Sequence, residues 1–186
     1  MDCRQAITHK TKRYMKTLTD QLTQYASYHQ DQRNIATHFV GIPMIVLAVA
    51  TLLSRPAIAL AGWSISPAVV LALATCIFYL RLDTRFGAAM AVIMAGMVAA
   101  GQWFAAQSTA LWLGAGVGLF VVGWAFQFVG HYYEGKKPAF VDDLIGLVVG
   151  PLFLAAEAAF FLQLRLDLKA EIDRRLGSTA PVAAAA

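Results

Sequence analysis

Charge is scarce in this chain. Only 14% of its 186 residues are Asp, Glu, Lys or Arg, where about 25% is usual for a soluble domain. Hydrophobic residues make up 59% and the mean hydropathy is +0.59. Folding at this size removes only about 70% of the surface that the unfolded chain exposes, so so much apolar surface cannot be hidden from water. A soluble enzyme, a disordered polypeptide and a nucleic-acid binder are all disfavoured. Cysteine is nearly missing: Cys3 lies at the terminus and Cys76 in an apolar run, which leaves no disulfide framework and no Cys-rich metal site. No stretch alternates polar and apolar residues, so barrel strands are not expected. Arg4, Lys10, Lys12, Arg13 and Lys16 are not followed by the ~7–15-residue apolar core of a secretory leader, and no cleavable signal peptide is expected. The net charge of +4 and pI near 9.2 suit basic cytoplasmic ends on a membrane protein better than a phosphate-tracking surface.

What the chain has instead is a series of apolar runs, at 38–53, 67–80, 86–106, 111–129 and 144–164. Runs of ~20 residues cross a ~30 Å hydrocarbon layer as helices, which satisfy their own backbone there. The expected fold is all-α, a polytopic membrane helical bundle with about four crossings and a re-entrant or interfacial C-terminal helical segment. The crossing count comes from the 15 Lys and Arg residues. If the last run dips in and returns, all of them except Arg55 fall on one side. A fifth crossing would move Arg165, Lys169, Arg174 and Arg175 to the other, against the tendency of positive charge to stay in the cytoplasm. Gly150-Pro151 within that run and Glu157 beyond it also suit a segment facing protein rather than lipid. Glycine clusters at 96–101 and 114–118 suit close helix packing but say little about function. Residues 1–177 read as one membrane-embedded domain and 178–186 as a disordered tail. The expected location is a bacterial inner membrane, or the endoplasmic reticulum in a eukaryote.

The chain has four histidines. His29 and His38 flank the entry to the first crossing and His131 follows the fourth, so all three reach the cytoplasmic face from distant parts of the sequence. Nearby stand Asn34, Glu134, Asp142, Asp143 and Glu157. Taken singly, each histidine is more simply an interfacial or core-satisfied side chain. On one continuous helix His29 and His38 would point in opposite directions, since nine positions at about 100° each amount to half a turn beyond whole turns. They can share an ion only if the chain bends between them. The polar stretch 30–34 offers a bend, with Asn34 as a helix N-cap; alternatively, Asn34 lies one turn before His38 and orients its ring. His131 and Glu134 share a helix face. Three nitrogen donors with carboxylates nearby suit zinc, iron or copper better than calcium or magnesium.

Two stretches carry a resemblance. Residues 25–43, YASYHQDQRNIATHFVGIP, and 124–139, WAFQFVGHYYEGKKPA, resemble the two signatures of the Mpo-type membrane family of 2-hydroxy fatty acid dioxygenases. Asp142 to Phe153, followed by Glu157, continues the second, with Asp143 where the family pattern often has Asn. The resemblance implies an Fe(II)-dependent oxidoreductase that shortens a 2-hydroxy fatty acid by one carbon with O2, the α-oxidation step of lipid and sphingoid-base degradation. It places His29, His38 and His131 as iron ligands and Asn34, Glu134, Asp142 and Glu157 as catalytic-site residues, while His9 falls outside the signatures. A 2-hydroxy acid can offer its carboxylate and hydroxyl oxygens to an open-sided iron, its alkyl chain lying between helices. Tyr25, Tyr28, Tyr132 and Tyr133 are candidate hydrogen-bond donors. Lys136 and Lys137 either attract the carboxylate or serve only as cytoplasmic loop charges. The implied partners are the 2-hydroxy fatty acid, O2 and membrane lipid, not nucleic acid; a homo-oligomer stays open. The rivals are another metal-dependent lipid-modifying enzyme, against which the absence of clustered HxxH boxes counts for the diiron type, and a non-catalytic membrane protein with structural histidines.

Overall fold

The computed structural model describes residues 16–60, 63–136 and 144–179. Cys3, His9, the basic N-terminal arm, Lys137, Asp142, Asp143 and the tail from residue 180 lie outside the described residues. Among the described residues seven helices follow one another: α1 (Leu18–Ala26), α2 (Gln32–Ser54), α3 (Pro67–Leu82), α4 (Thr84–Ala105), α5 (Thr109–Glu134), α6 (Ile145–Phe161) and α7 (Leu166–Thr179). Between α2 and α3 stands a short antiparallel hairpin, β1 (Ile58–Leu60) with β2 (Trp63–Ile65). The apolar-run reading does not anticipate this hairpin, because three-residue strands are too short to show a period.

The helices begin and end where their polar residues permit. Asp31, not Asn34, caps α2, its carboxylate accepting the Arg33 N–H at 2.8 Å. The bend between His29 and His38 therefore falls at residues 27–31, and Asn34 lies inside the helix with its side chain buried. Asp83 ends α3 and starts α4, accepting N–H groups from Arg85 and Phe86 at 2.9 Å each. Gly135 closes α5 in the left-handed conformation, φ +67°, which costs glycine nothing, and its N–H bonds the His131 carbonyl.

This is an all-helical membrane bundle. Among the described residues three helices, α2, α4 and α5, are each long and apolar enough to cross a bilayer. The fourth apolar helix, α3, has 16 residues, about 24 Å at 1.5 Å each. Val70 and Leu73 on α3, Val92 on α4 and Val121 on α5 are exposed outward, as a lipid-facing surface requires. Inside, α2 packs against α4 and α5. At the α2–α5 crossing the backbones nearly touch: a Cβ added to Gly41 would stand 2.7 Å from the Gly123 carbonyl oxygen, and one added to Gly123 2.9 Å from that of Gly41. Of the glycines in the two clusters, Gly101 meets the α2 backbone at Ala50 and Gly116 the Leu52 side chain, whereas Gly96, Gly114 and Gly118 meet open space.

The last two helices are bent by 114° at residues 162–165, where Gln163 and Arg165 take left-handed conformations. Both ends of α6 lie at the end of the bundle where α2 begins and α5 finishes. Val148 near its start accepts the Tyr79 hydroxyl at 2.6 Å. Arg165 just past its end pairs with Asp83 in the α3–α4 turn at 3.0 Å. The segment thus starts and returns on one side of the bundle. Beyond it, α7 packs on α1, with Arg175 bonded to Asp20 at 2.7 Å. The tail boundary expected at residue 178 falls in the last turn of α7.

Candidate metal centre

His29 sits in the α1–α2 turn, His38 on the second turn of α2, and His131 one turn from the end of α5. All three are buried, at 3%, 1% and 7% exposure, and their donor atoms lie within 4.8 Å of one another. The ring centroids form a nearly equilateral triangle of 4.6, 5.0 and 5.1 Å.

The proton positions follow from the partners. Nδ1 of His29 is 2.7 Å from the Tyr25 carbonyl oxygen, and Nδ1 of His38 is 2.9 Å from that of Asn34. A carbonyl only accepts, so each Nδ1 carries the hydrogen and each Nε2 keeps a lone pair. Yet the two Nε2 atoms stand 3.1 Å apart. Two facing lone pairs at that distance repel unless a cation, either a proton or a metal ion, lies between them. Two nitrogens held at about 2.1 Å by one ion are ~3.0 Å apart at a right angle and ~3.4 Å apart at the tetrahedral angle, so the spacing suits shared coordination. On the third side, Nδ1 of His131 is buried without a hydrogen-bond partner. Burial pushes the His29 imidazole down to about 4, keeping it neutral as a ligand must be.

The site is braced from outside the triangle. The Glu134 carboxylate, only 4% exposed, accepts N–H groups from Gln30 at 3.0 Å and Asp31 at 2.8 Å and the Asn34 amide at 3.1 Å. It thereby ties the His29 turn and the start of α2 to the end of α5, and it meets the positive end of the α2 dipole. Asn34 also donates to the Tyr28 carbonyl; its link to His38 runs through its backbone oxygen, not its amide. Lys136 donates to the Ser27 carbonyl at 2.8 Å and so holds the same turn. Asp31, pushed down to about 2 chiefly by its hydrogen bond from the Arg33 side chain, stays ionised as the α2 cap. The Tyr25 ring stacks on His29 at 4.1 Å between centroids and 3° between planes, and burial raises its hydroxyl above the usual range.

Four of the residues expected at the site, His29, His38, His131 and Asn34, converge with Glu134 just outside them. Glu157 does not join them. It lies farther along α6, half-buried, with Lys169 and Asp173 of α7 as its charged neighbours. Among the described residues no carboxylate belongs to the histidine cluster. One buried group escaped the sequence reading: Gln127, one turn before His131, 6% exposed. Its signal was present, since an amide in an otherwise apolar helix at i−4 from a ligand candidate faces the same way. With His38 and His131 it lines a cavity of about 60 Å³.

The sequence of the chain is similar to known proteins. No solved structure matches it. It is 33% identical over 161 residues, 86% of this chain and 89% of the relative, to the 2-hydroxy-palmitic acid dioxygenase MPO1 of Saccharomyces cerevisiae. Residues 15–162, which hold all three clustered histidines, match the family described as 2-hydroxy-palmitic acid dioxygenase Mpo1-like. The chain, an all-helical membrane bundle with three buried histidines at one end, belongs to the Mpo1-like family.

Proposed function

We propose that this protein is an Fe(II)-dependent membrane dioxygenase that uses O2 to remove one carbon from 2-hydroxy fatty acids. The observation that carries the reading is the pair of facing Nε2 lone pairs, 3.1 Å apart and completed by His131, in a chain whose relative is a 2-hydroxy-palmitic acid dioxygenase. Three neutral imidazoles are a donor set that suits iron and leaves coordination positions open. Iron so held would supply redox chemistry with O2 and a charge to receive the carboxylate and hydroxyl of the acid. The protein's part is positional. Tyr25 and Asn34 fix two rings through backbone carbonyls, Glu134 locks the turn that carries His29, and the surrounding helices exclude water. Asn34 and Glu134 act by holding this arrangement, and Asp142 is proposed as a catalytic-site residue by its place in the signature alone. Glu157, half-buried with Lys169 and Asp173 of α7 as its charged neighbours, belongs to the α6–α7 unit. The positive-inside distribution supports a cytoplasmic metal site, in a bacterial inner membrane or the endoplasmic reticulum.

The test is to load the purified protein with iron under anaerobic conditions in detergent, add 2-hydroxypalmitate and oxygen, and look for the acid one carbon shorter by mass spectrometry. Stoichiometric iron and a pentadecanoate product are expected. Iron-loaded protein that yields no shortened acid would overturn the substrate assignment. Protein that takes up no metal would overturn the enzyme reading altogether.

A further inference from the structure

Two polar groups in the histidine pocket have no part in holding a metal. The Gln127 amide nitrogen is buried and unpartnered, which is costly inside a membrane protein unless a ligand completes it. The amide lies against α2 at Gly41, where an added Cβ would collide with it. Tyr25 lines the same pocket, its hydroxyl 2.9 Å from where a Cβ on Gly150 would lie. Both can donate a hydrogen bond. Two donors beside His38 and His131 suit an acceptor-rich group of the size of a carboxylate.

The pocket does not stop there. Ile45, Val46, Trp124, Leu147 and Pro151 form a wall common to it and to a second cavity of about 440 Å³, within the range of small-molecule sites. This chamber is lined almost wholly by hydrocarbon. One of its few polar groups, the Tyr79 hydroxyl, is already bonded to the Val148 carbonyl. It extends along α2 as far as Ala50 and along α3 to Ala68. From His38 to Ala50 the helix rises about 18 Å at 1.5 Å per residue, a little more than the ~15 Å hydrocarbon half of a bilayer. Leu71 and Phe120 on its walls are exposed.

We propose that Gln127, with Tyr25, holds the carboxylate of a long-chain acid in the histidine pocket while its alkyl chain passes Trp124 into the apolar chamber and ends near Ala68. This rests on the dioxygenase reading and deepens it, giving the head and the tail of the substrate separate sites. Gln127→Glu puts a negative charge against the carboxylate. Ala68→Phe fills the far end, where only a long chain reaches.

The experiment compares 2-hydroxypalmitate and 2-hydroxydecanoate as substrates of the iron-loaded protein. Quenching of Trp124 fluorescence by brominated palmitate, with Trp124→Phe as the blank, measures binding without turnover. Gln127→Glu is expected to raise KM for both acids about tenfold or more, with kcat within about twofold and iron content unchanged. Ala68→Phe is expected to raise KM about tenfold for the long acid and to leave the short one within about twofold. Equal losses for both lengths in Ala68→Phe overturn the chamber assignment. Unchanged KM in Gln127→Glu overturns the head assignment; should that variant lose iron, Gln127→Met, neutral and similar in size, replaces it, and unchanged KM with iron retained counts the same way. Wild-type protein that is quenched by brominated palmitate but turns over neither acid leaves the binding site standing and sinks the dioxygenase reading. Wild-type protein that shortens both acids without any quenching of Trp124 does the reverse.

Discussion

The helices α2 and α5 meet at both of their ends, and the two meetings differ. At the histidine end, Glu134, Lys136 and Tyr133 of α5 and its cap engage Gln30, Asp31, Asn34, the Ser27 carbonyl and Arg33, the last stacked over Tyr133 at 4.6 Å. At the far end the join is thinner. Trp112 donates to the Thr51 carbonyl at 2.8 Å and carries the Arg55 guanidinium over its ring at 4.5 Å. Both ends contain buried polar atoms without partners: the Thr51 and Ser54 hydroxyls at one, and Asn34 Oδ1, His131 Nδ1 and the Gln127 amide nitrogen at the other. An unpartnered atom is therefore not what makes a site. At the far end the orphans are neutral hydroxyls on a single helix. At the histidine end they come from two helices, and His131 Nδ1 faces ligand atoms supplied by α2 and by the His29 turn; only that convergence can hold an ion.

The sharpest break of this contrast is His38→Ala. It removes one of the two facing nitrogens and should abolish metal retention, lowering affinity by more than the ~100-fold that loss of a mere supporting partner costs. Metal analysis of the purified variant, with circular dichroism to show that the helices persist, checks it; a variant that keeps its metal would show that His38 is structural. Next comes Glu134→Ala. Three donors from Gln30, Asp31 and Asn34 would lose their acceptor, at about 1–3 kcal/mol for each that stays buried, and the His29 turn would loosen from α5. The expected outcome is a 10–100-fold weaker metal affinity, measured by competition with a chelator, with Glu134→Gln recovering part of the loss because it keeps an acceptor oxygen. Loss of metal from Glu134→Ala no greater than from a surface variant would remove Glu134 from the site's support.

Much of the polar end was legible in the sequence because polar residues in an apolar chain are few and each must be used. His29, His38 and His131 stood out for that reason, and the need for a bend between the first two followed from helix geometry alone. The position of the bend did not, since Asp31 and Asn34 are both good caps and only the tertiary grip of Glu134 on the Gln30 and Asp31 amides decides between them. Glu157 was expected with the histidines on sequence grounds; its place against α7 depends on the 114° turn at residues 162–165, which Gln163 and Arg165 make without a glycine to announce it. The apolar chamber left no trace either, because its lining residues look like any lipid-facing helix until the packing of five helices is known.

A smaller effect belongs to the cap. Asp31→Ala removes the side-chain acceptor at the start of α2 and the partner of Arg33, and should cost about 1 kcal/mol, seen as a lower melting temperature with metal still bound. Glu134 continues to hold the Asp31 backbone N–H, which limits the damage; complete metal loss would show instead that the cap, and not Glu134, fixes the turn.

The smallest effect is expected at the far end, where Arg55→Ala deletes the cation over Trp112. Such a contact is worth about 0.5–1 kcal/mol when solvent or headgroups can reach it, and the Arg55 bond to the Gln107 carbonyl is long at 3.5 Å. Since α2 and α5 stay locked through Gly41 and Gly123 midway along the bundle, a disturbance at Arg55 has no stiff route to His38 or His131. Metal content and turnover should therefore match wild type while the melting temperature falls slightly. If Arg55→Ala lowered turnover as strongly as Glu134→Ala, the two ends would be coupled through the helices, and the chemistry could not be assigned to the histidine end alone.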